Sequence, residues 1–426
     1  MNQLKVSIQT LGCKVNHHES EKLSSDFREL GYQIVTANEP ADICIINSCT
    51  VTSVADAKTR QKIRQARSKN QNAFVCVIGC MPEVAFDTVS EMKEVDLVIG
   101  NKNKEDTAHL ISQRFPKQNQ STSQSGDTQN SRSRAFLKIE DGCDRYCAYC
   151  IIPYARGPVT SKPAGKVISD VRSCLDHGYR EIVLSGINLA LYGTDLNDTA
   201  GKPVTLYDLL LQLTTLENEQ SYRIRLGSLE PTVLTPDEAC AIASIPGICP
   251  QFHLSLQSGS NKTLKSMGRN YDTVIFLETI RSLRSIDPNF AITTDVIVGF
   301  PGETDADFEE SLNFVRDACF SKTHVFPYSK REGTLAASMD GQVSDSVKKA
   351  RTALMIEAGN AGAHKFFDSC LGKKRNTLIF GQDKQGLIRG LTDNGVDIRF
   401  AGTASGTPED NSIIDLAVTL ENISDL

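Results

Sequence analysis

Short apolar runs rich in β-branched residues alternate with helical patterns in the first hundred residues, and this alternation limits the fold more than any other feature. The apolar runs cover residues 4–10, 43–47 and 74–79, and the helical patterns cover residues 17–31 and 52–69. Strands separated by helices usually pair in parallel, because a crossover helix returns the chain to the same end of the sheet. The sequence therefore predicts a small parallel α/β domain over residues 1–115.

Three cysteines follow the three predicted strands. Cys13, Cys49 and Cys80 each lie just after one of the apolar runs, although they are far apart in sequence. The loops at the carboxyl ends of parallel strands share one edge of the sheet, where ligands bind. We therefore expect the three thiols to converge there. The alternative is that they are three buried cysteines that share a position only by coincidence.

A polar segment separates this domain from a larger α/β region. Residues 116–133 are mainly Gln, Ser, Asn and Thr, which cannot bury a core, so they are predicted to form a flexible linker. Six strands are then predicted within residues 134–366, at residues 135–140, 181–185, 223–227, 252–256, 292–298 and 323–327. Six strand–helix repeats are fewer than the eight that close a (βα) barrel. The prediction is therefore a partial (βα)6 barrel.

The pattern changes again near the end of the chain. Short alternating segments separated by Gly and Asp cover residues 376–381, 386–390, 396–400 and 413–419. Short strands with turn residues between them are typical of a small β-barrel or sandwich. We therefore predict a β-barrel over residues 367–426.

A second, compact group of cysteines follows the first strand of the predicted barrel. Cys143, Cys147 and Cys150 have the spacing Cys-x3-Cys-x2-Cys, which lets a single loop surround a metal cluster. Thiolates suit iron–sulfur clusters, and three ligands leave one iron of a four-iron cluster open. Structural zinc is the alternative, but zinc normally takes four ligands, and no nearby Cys or His provides a fourth.

Polar and glycine-rich segments end the later strands of the predicted barrel. This is the face where (βα) barrels place their active sites, and glycine permits close backbone approach to a ligand. Plain turns are the alternative for any single segment. The candidate cofactor-binding residues at these strand ends are Gly186, Ser228, Glu230, Gln257, Asp295 and Ile297.

The compact motif, with Tyr149 before its last cysteine, resembles the signature of the radical S-adenosylmethionine superfamily. More narrowly, the chain resembles the methylthiotransferases of that superfamily. This resemblance rests on residues 10–16 (TLGCKVN), 46–52 (INSCTVT), 78–80 (IGC) and 147–157 (CAYCIIPYARG). That family has an N-terminal cluster domain, a radical domain and a C-terminal TRAM domain, which is an OB-like RNA-binding barrel.

The resemblance implies an enzyme with two [4Fe–4S] clusters that binds S-adenosylmethionine. Cys143, Cys147 and Cys150 would hold the cluster that cleaves S-adenosylmethionine to a radical, with Tyr149 beside the cofactor. Cys13, Cys49 and Cys80 would hold an auxiliary cluster that carries or donates sulfur. All six cysteines would thus serve catalysis as metal ligands, with flavodoxin or ferredoxin as electron donor.

Within the family, the segments around Cys13 and Cys49 are most similar to the branch that acts on N6-threonylcarbamoyladenosine beside the anticodon of tRNA. The alternatives are the isopentenyladenosine branch, the branch that modifies an aspartate of a ribosomal protein, and, in another class, a non-catalytic RNA-binding metalloprotein. Residues 157–161 (GPVTS) lack the arginines expected in the family after Arg156 and Gly157.

Basic and aromatic side chains are the candidates for RNA contact. A basic helix carries Lys58 and Arg60. The predicted barrel begins with Lys373, Lys374 and Arg375, and the compact motif is followed by Tyr154 and Arg156. An aromatic ring or a guanidinium plane stacks on an unpaired base. A charge run is also typical of a helix face that only contacts water.

Composition places the chain in the globular class. Its net charge of −6 argues against binding nucleic acid by bulk attraction, and no apolar run is long enough to span a membrane. The chain begins without the pattern of a signal peptide, so a cytoplasmic location is expected. Thirteen cysteines in that compartment are more typical of metal ligands and core residues than of disulfides.

Overall fold

The computed structural model describes residues 3–116, 133–197, 201–218, 220–231, 234–402 and 408–423. The predicted linker at 116–133 lies outside the described residues, apart from its two end residues. Contacts divide the chain into two compact units. The first unit comprises Met1–Asp127, Gly142–Pro158 and Ser329–Ala337, and the second comprises Thr128–Asp141, Val159–Tyr328 and Ser338–Leu426.

The first unit contains the predicted parallel sheet, with five strands in the order β2-β1-β3-β4-β5. Its strands are β1 Lys5–Thr10, β2 Gln33–Val35, β3 Ile43–Ser48, β4 Phe74–Gly79 and β5 Leu97–Ile99. Its helices are α1 Lys14–Glu29, α2 Ser53–Lys69, α3 Cys80–Val84, α4 Phe86–Ser90, α5 Thr107–Arg114 and α6 Ile152–Arg156, with a 3-10 helix at Asn101–Asp106. The two edge strands, β2 and β5, were not predicted, because each has only three residues.

Apolar cores form on both faces of this sheet. Side chains of α1 and α5 pack on one face, and side chains of α2 and α4 pack on the other. Every residue of β3 and β4 is buried, as expected for central strands covered by helices on both sides. Cys44 and Cys76 are core residues of these two strands.

The second unit confirms the six predicted parallel strands of the partial barrel. They are β6 Arg134–Lys138, β9 Glu181–Ser185, β10 Arg223–Leu226 continued by β11 Ser228–Leu229, β12 Gln251–Leu254, β13 Ala291–Val298 and β14 Lys322–Pro327. The third strand is interrupted only at Gly227. Its first part pairs with β9 and its second part pairs with β12, so the strand order follows the chain.

Helices cover this sheet and bury one large apolar core. They are α7 Ala164–Asp176, α8 Leu206–Thr214, α9 Pro236–Ala243, α10 Asn261–Ser266, α11 Thr273–Ile286, α12 Asp305–Ala318 and α14 Asp345–Cys370, with a 3-10 helix at Leu189–Leu191. Helix α13, Leu335–Ser338, belongs to the first unit except for its last residue. A two-stranded ribbon is formed by β7 Glu140–Asp141 and β8 Thr160–Ser161.

The C-terminal segments form a small antiparallel sheet in the order β17-β16-β15-β18, which is consistent with the predicted β-barrel. Its strands are β15 Lys374–Gln382, β16 Ile388–Thr392, β17 Asp397–Phe400 and β18 Ile413–Ala417. The side chains of Arg223 and Arg225 donate to the carbonyl oxygens of Leu391 and Thr392 at 2.8 and 3.0 Å. Hydrogen bonds from the barrel strands therefore hold this sheet in place.

No helix in the described ranges combines the length and the apolar character needed to cross a membrane.

Candidate metal centres

The first unit brings Cys13, Cys49 and Cys80 to the carboxyl edge of its sheet, as predicted. Cys13 is the N-cap residue of α1, Cys49 directly follows β3, and Cys80 is the first residue of α3, directly after β4. A Cβ atom on Gly12 would lie 2.7 Å from the Cβ of Cys49 and 2.9 Å from its Sγ. Gly12 also has φ of +106°, a backbone conformation that favours glycine. The loop before Cys13 therefore lies directly against Cys49.

The three thiols influence one another electrostatically. Burial, together with the negative charges of Cys80 and Cys13, raises the pKa of Cys49 to about 11, while a backbone hydrogen bond from Val51 and the positive charge of Arg156 oppose them. Cys49 and Cys80 are buried, and Cys13 is exposed. Without a cation, three neighbouring thiolates would repel one another, so the arrangement favours metal ligation, which stabilises thiolates.

The donor set fits an iron–sulfur cluster. Within the described ranges, no three side chains of His, Cys, Asp or Glu are gathered closely enough to surround a single metal ion. A four-iron cluster instead takes each cysteine on a different iron. The convergence of three cysteine thiols, with a buried cation nearby, is the feature that fits such a group.

Asn16 connects the loops that carry Cys13 and Cys49. Its side-chain nitrogen donates to the carbonyl oxygens of Leu11 and Ser48 at 2.8 and 2.9 Å. Its Oδ1 accepts from the Sγ of Cys13 at 3.6 Å. Asn16 is almost completely buried, although it belongs to a helix. This role of Asn16 was not predicted, although a polar residue three positions after Cys13 on the buried face of a helix could have indicated it.

The compact motif lies on a loop that also belongs to the first unit. Gly142 begins the loop with φ of +80°, and a Cβ atom there would overlap the carbonyl oxygen of Pro158. The amide of Cys143 donates to the carbonyl oxygen of Gly157 at 3.1 Å, which closes the loop. The amide of Cys150 donates to the carbonyl oxygen of Cys147 at 2.9 Å, so the motif turns back on itself.

Both cysteine trios are therefore in the same compact unit. Helix α6, which follows Cys150, contacts α3, which begins at Cys80. The side chain of Asn101 donates to the carbonyl oxygen of Ala155 at 2.5 Å, which fixes the end of α6. Neither contact was predicted from sequence, because the sequence analysis assigned the motif loop to the barrel.

The first three strand ends of the second unit share one polar network. Asn188 donates from its backbone to Glu140 at 2.8 Å and from its side chain to Glu230 at 2.9 Å. Arg269 forms an ion pair with the buried carboxylate of Glu230 at 2.9 Å. A Cβ atom at Gly186 would overlap the carboxylate of Glu140, so the backbone of this strand end lies directly against that side chain.

The ends of β12 and β13 also lie side by side. Gln257 has φ of +66°, donates from its amide to the carbonyl oxygen of Asp295, and accepts from the amide of Ile297, both at 2.8 Å. The side chain of Asp295 lies 3.2 Å from the Nε2 of His253. Ser228 pairs with His253 across β11 and β12. His253 was not predicted as part of this group, although its polar side chain alternates with apolar residues along β12.

The residues predicted to contact RNA differ in their exposure, and two of them have largely buried side chains. Arg156 is a correction, because its side chain is 0% exposed and bonds to Asn16 and Glu19, so it is not available to RNA. Arg375 is only 10% exposed and is ion-paired with Asp287 and Asp393 at 2.7 and 2.8 Å. Its guanidinium is therefore held inside the second unit.

The remaining candidates are accessible. Lys58, Lys373 and Lys374 are exposed, and Arg60 is partly exposed on α2. Tyr154 is 54% exposed and forms an edge-to-face pair with Tyr146, which is 57% exposed, with ring centroids 5.7 Å apart. Tyr149 is partly buried. Tyr146 has φ of +45°, a strained conformation that clusters at functional sites.

Two family descriptions match different parts of the chain. Residues 5–100 match "Uncharacterized protein family UPF0004", and residues 137–315 match "Radical SAM superfamily". The first match covers the sheet that carries Cys13, Cys49 and Cys80. The second covers the compact motif and most of the partial barrel.

Curated relatives match nearly the whole chain. The sequence is 35% identical over 417 residues to threonylcarbamoyladenosine tRNA methylthiotransferase MtaB of Bacillus subtilis (strain 168), covering 93% of this chain and 90% of the relative. It is 36% identical over 410 residues to MtaB of Thermotoga maritima, covering 94% and 92%. It is also 34% identical over 415 residues to tRNA-2-methylthio-N(6)-dimethylallyladenosine synthase of Clostridium botulinum (strain Hall), covering 93% and 90%.

Solved structures with similar folds have little sequence in common with this chain. The radical S-adenosylmethionine methyltransferase TsrM of Kitasatospora setae aligns with a TM-score of 0.57 at 12% identity, covering 79% of this chain and 77% of that one. The cobalamin-dependent S-adenosylmethionine radical enzyme OxsB aligns with a TM-score of 0.51 at 13% identity, covering 85% and 56%. At this level of identity, the likeness concerns the fold alone.

Proposed function

Since the chain belongs to the radical S-adenosylmethionine methylthiotransferases, we propose that it converts N6-threonylcarbamoyladenosine beside the anticodon of tRNA to its 2-methylthio derivative. The observation that carries this proposal is the near full-length match to relatives named for that activity, of which four are 34–38% identical over 370–417 residues. Because tRNA is the substrate, we place the enzyme in the cytoplasm.

Family membership implies a [4Fe–4S] cluster and S-adenosylmethionine. We assign that cluster to Cys143, Cys147 and Cys150, and an auxiliary cluster to Cys13, Cys49 and Cys80. When bound, these groups supply the radical, the sulfur and the methyl group. The chain contributes the closed loop that carries Cys143, Cys147 and Cys150 and the three strand ends that carry Cys13, Cys49 and Cys80. We propose the strand-end residues Gly186, Ser228, Glu230, Gln257, Asp295 and Ile297, with Tyr149, as the binding site for S-adenosylmethionine. A flavodoxin or ferredoxin would supply electrons.

The domain division follows the same assignment. Residues 1–115 would be the cluster domain, residues 134–366 the radical domain and residues 367–426 a TRAM-like RNA-binding barrel. We propose that Lys58 and Arg60 on α2, together with Lys373 and Lys374, contact RNA phosphates. Lys58, Lys373 and Lys374 are exposed and Arg60 is partly exposed, so their charges are accessible to phosphates.

Nucleoside analysis of a strain that lacks the gene tests the substrate. We expect loss of 2-methylthio-N6-threonylcarbamoyladenosine, with accumulation of the unmethylthiolated nucleoside, by mass spectrometry of digested tRNA. Restoring the intact gene should restore the product, and a copy with Cys147→Ala should not. Unchanged levels of this nucleoside in the deletion strain would contradict the proposal.

The second candidate substrate is isopentenyladenosine in tRNA, because a synthase named for the dimethylallyl derivative is 34% identical over 415 residues. The same digest separates the two, since each nucleoside has its own mass. Loss of the methylthio derivative of isopentenyladenosine alone would favour this second branch. A parallel mass measurement of ribosomal protein tests the aspartate alternative. Anaerobic metal analysis tests the non-catalytic alternative, since two clusters require about eight irons per chain, whereas stoichiometric zinc would favour a structural metal site.

A further inference from the structure

Arg156 is a fully buried cation that joins the compact motif loop to the helix after Cys13. It lies at the end of α6, and its Nη2 donates to the Oδ1 of Asn16 at 2.6 Å. Its Nη1 lies 3.2 Å from Glu19 on the next turn of α1. Both contacts span about 140 residues of sequence. A planar guanidinium fork is well suited to two acceptors held at fixed positions.

A second buried cation completes the network. Lys104 is 6% exposed and lies 2.6 Å from the other oxygen of Glu19. It also donates to the Oδ1 of Asn101 at 2.8 Å, and the side-chain nitrogen of Asn101 donates to Ala155, next to Arg156. Two buried cations are therefore held in place by one carboxylate and two amides. Burying charge costs free energy, so we expect the buried pair of Arg156 and Lys104 to have a specific role.

Both cations lie close to the auxiliary cysteines. The Oδ1 of Asn16, which accepts from Arg156 at 2.6 Å, also accepts from the Sγ of Cys13 at 3.6 Å. Lys104 lies on the 3-10 helix Asn101–Asp106, which contacts α3, the helix that begins at Cys80. In a buried environment electrostatic interactions are screened far less than at the surface. The two positive charges therefore act on the sulfur atoms of the auxiliary trio.

We propose that Arg156 and Lys104 are positioning residues that hold the auxiliary trio in place and set the reduction potential of its cluster. This inference rests on the proposed assignment of a cluster to Cys13, Cys49 and Cys80. Reduction adds one negative charge, and a nearby buried cation stabilises the reduced state, so the two cations raise the potential. Glu19 moderates their effect, because its carboxylate lies between them.

Redox titration of the auxiliary cluster alone tests this inference. In the full-length chain, the changes Cys143→Ala, Cys147→Ala and Cys150→Ala together remove the other cluster. The remaining cluster is then reconstituted anaerobically, reduced stepwise and followed by electron paramagnetic resonance. Arg156→Met should make the potential more negative, by about tenfold in the reduction equilibrium, or about 59 mV for one electron.

Two further variants separate charge from geometry. Arg156→Lys keeps the charge but loses the fork, so we expect less than half of that shift in potential together with a changed resonance signal. Glu19→Gln removes the carboxylate and should move the potential in the opposite direction, to a more positive value. Simple damage to the fold would not give opposite signs for the two substitutions.

Lys102 provides the matched control, because it is an exposed cation on the same 3-10 helix as Lys104. Lys102→Met should leave the potential unchanged. If Arg156→Met does not retain iron, Lys104→Met and Glu19→Gln still test the sign of the effect. Equal potentials in all these variants and the parent chain would overturn the inference. Absence of the cluster from the parent chain would instead overturn the proposed metal assignment.

Discussion

The side-chain nitrogen of Asn16 donates to the carbonyl oxygen of Ser48 at 2.9 Å, across 32 residues of sequence. The same nitrogen donates to Leu11, so one buried amide joins the two loops that carry Cys13 and Cys49. The side chain of Asn16 thus links the two loops as a disulfide between them would, but it leaves the thiols of Cys13 and Cys49 available as ligands. The position of the auxiliary trio therefore depends on a side chain that is not itself a ligand.

Replacing this amide should loosen the trio without removing any cysteine. Asn16→Ala removes one hydrogen-bond partner from each of three groups: the carbonyl oxygens of Leu11 and Ser48 and the guanidinium of Arg156. Each unsatisfied buried group costs about 1–3 kcal/mol, so we expect a lower free energy of unfolding and partial loss of iron. Chemical denaturation and iron analysis measure the two effects. Asn72→Ala, at an exposed turn of the same unit, should change neither. Full iron content in Asn16→Ala would contradict this role.

Gly12 should be intolerant of any side chain. A Cβ atom there meets Cys49 at 2.7 Å, in addition to the strain of φ near +106°. Gly12→Ala should therefore displace Cys49 and reduce incorporation of the auxiliary cluster, as measured by iron and sulfide content. Gly386→Ala is the matched control, because Gly386 has φ of +79° and no atom within 4 Å of its added Cβ. The control carries the backbone strain, about 1–2 kcal/mol, but not the clash. Equal iron loss in both variants would attribute the effect to strain alone.

The convergence of Cys13, Cys49 and Cys80 was predictable because it follows from parallel topology. Once three strands alternate with helices, their carboxyl ends must share an edge, whatever the side chains are. The contact of Arg156 with Asn16 was not predictable in this way. It joins residues 140 apart, and no local pattern indicates that the motif loop packs with the first unit. The exposed RNA role predicted for Arg156 was wrong for the same reason, since local sequence does not reveal burial by a distant helix.

The two cysteine trios should differ in what their loss abolishes. Cys147→Ala should abolish both the cleavage of S-adenosylmethionine and the methylthiolated product. Cys49→Ala should spare cleavage and block sulfur insertion, because it changes only the auxiliary trio. Chromatography of 5′-deoxyadenosine and of tRNA nucleosides measures the two outcomes in one reaction. Cys174→Ala, a partly buried cysteine of α7 outside both trios, is the control and should retain both activities. Methylthiolated product from Cys49→Ala would refute the division.

Glu181 should control the acid stability of the second unit. Its buried carboxylate pairs with Arg134, Arg223 and Arg225 at 2.7–2.9 Å. Burial opposes its ionisation, but Arg225 and Arg223 outweigh burial and hold its pKa below the usual value of 4.5. Its contribution is therefore fully present above about pH 4.5 and is lost as the pH falls towards the lower folded value.

Glu181→Gln should remove that contribution and leave three cations close together, at a cost of about 3–5 kcal/mol. Urea denaturation at pH 7 measures the loss, and the same titration repeated towards pH 3 should show a smaller pH dependence than the parent chain. Glu217→Gln changes an exposed carboxylate of the same unit and should alter neither quantity. A variant with parental stability at pH 7 would mean that the Arg side chains find other partners.

The exposed pair of Tyr146 and Tyr154 should bind an unpaired base of the anticodon loop. Stacking of a base on an aromatic ring is worth about 1–3 kcal/mol, so Tyr154→Ala should weaken binding of an anticodon stem-loop by roughly 5- to 150-fold in Kd. Tyr154→Phe keeps the ring and should bind nearly as well as the parent chain. Fluorescence anisotropy of a labelled stem-loop measures both. Tyr207→Ala removes an exposed ring from α8 and controls for general surface effects. Equal affinities for Tyr154→Ala and Tyr207→Ala would place the substrate base elsewhere, because a ring that stacks on RNA must cost more to remove than one that only meets water.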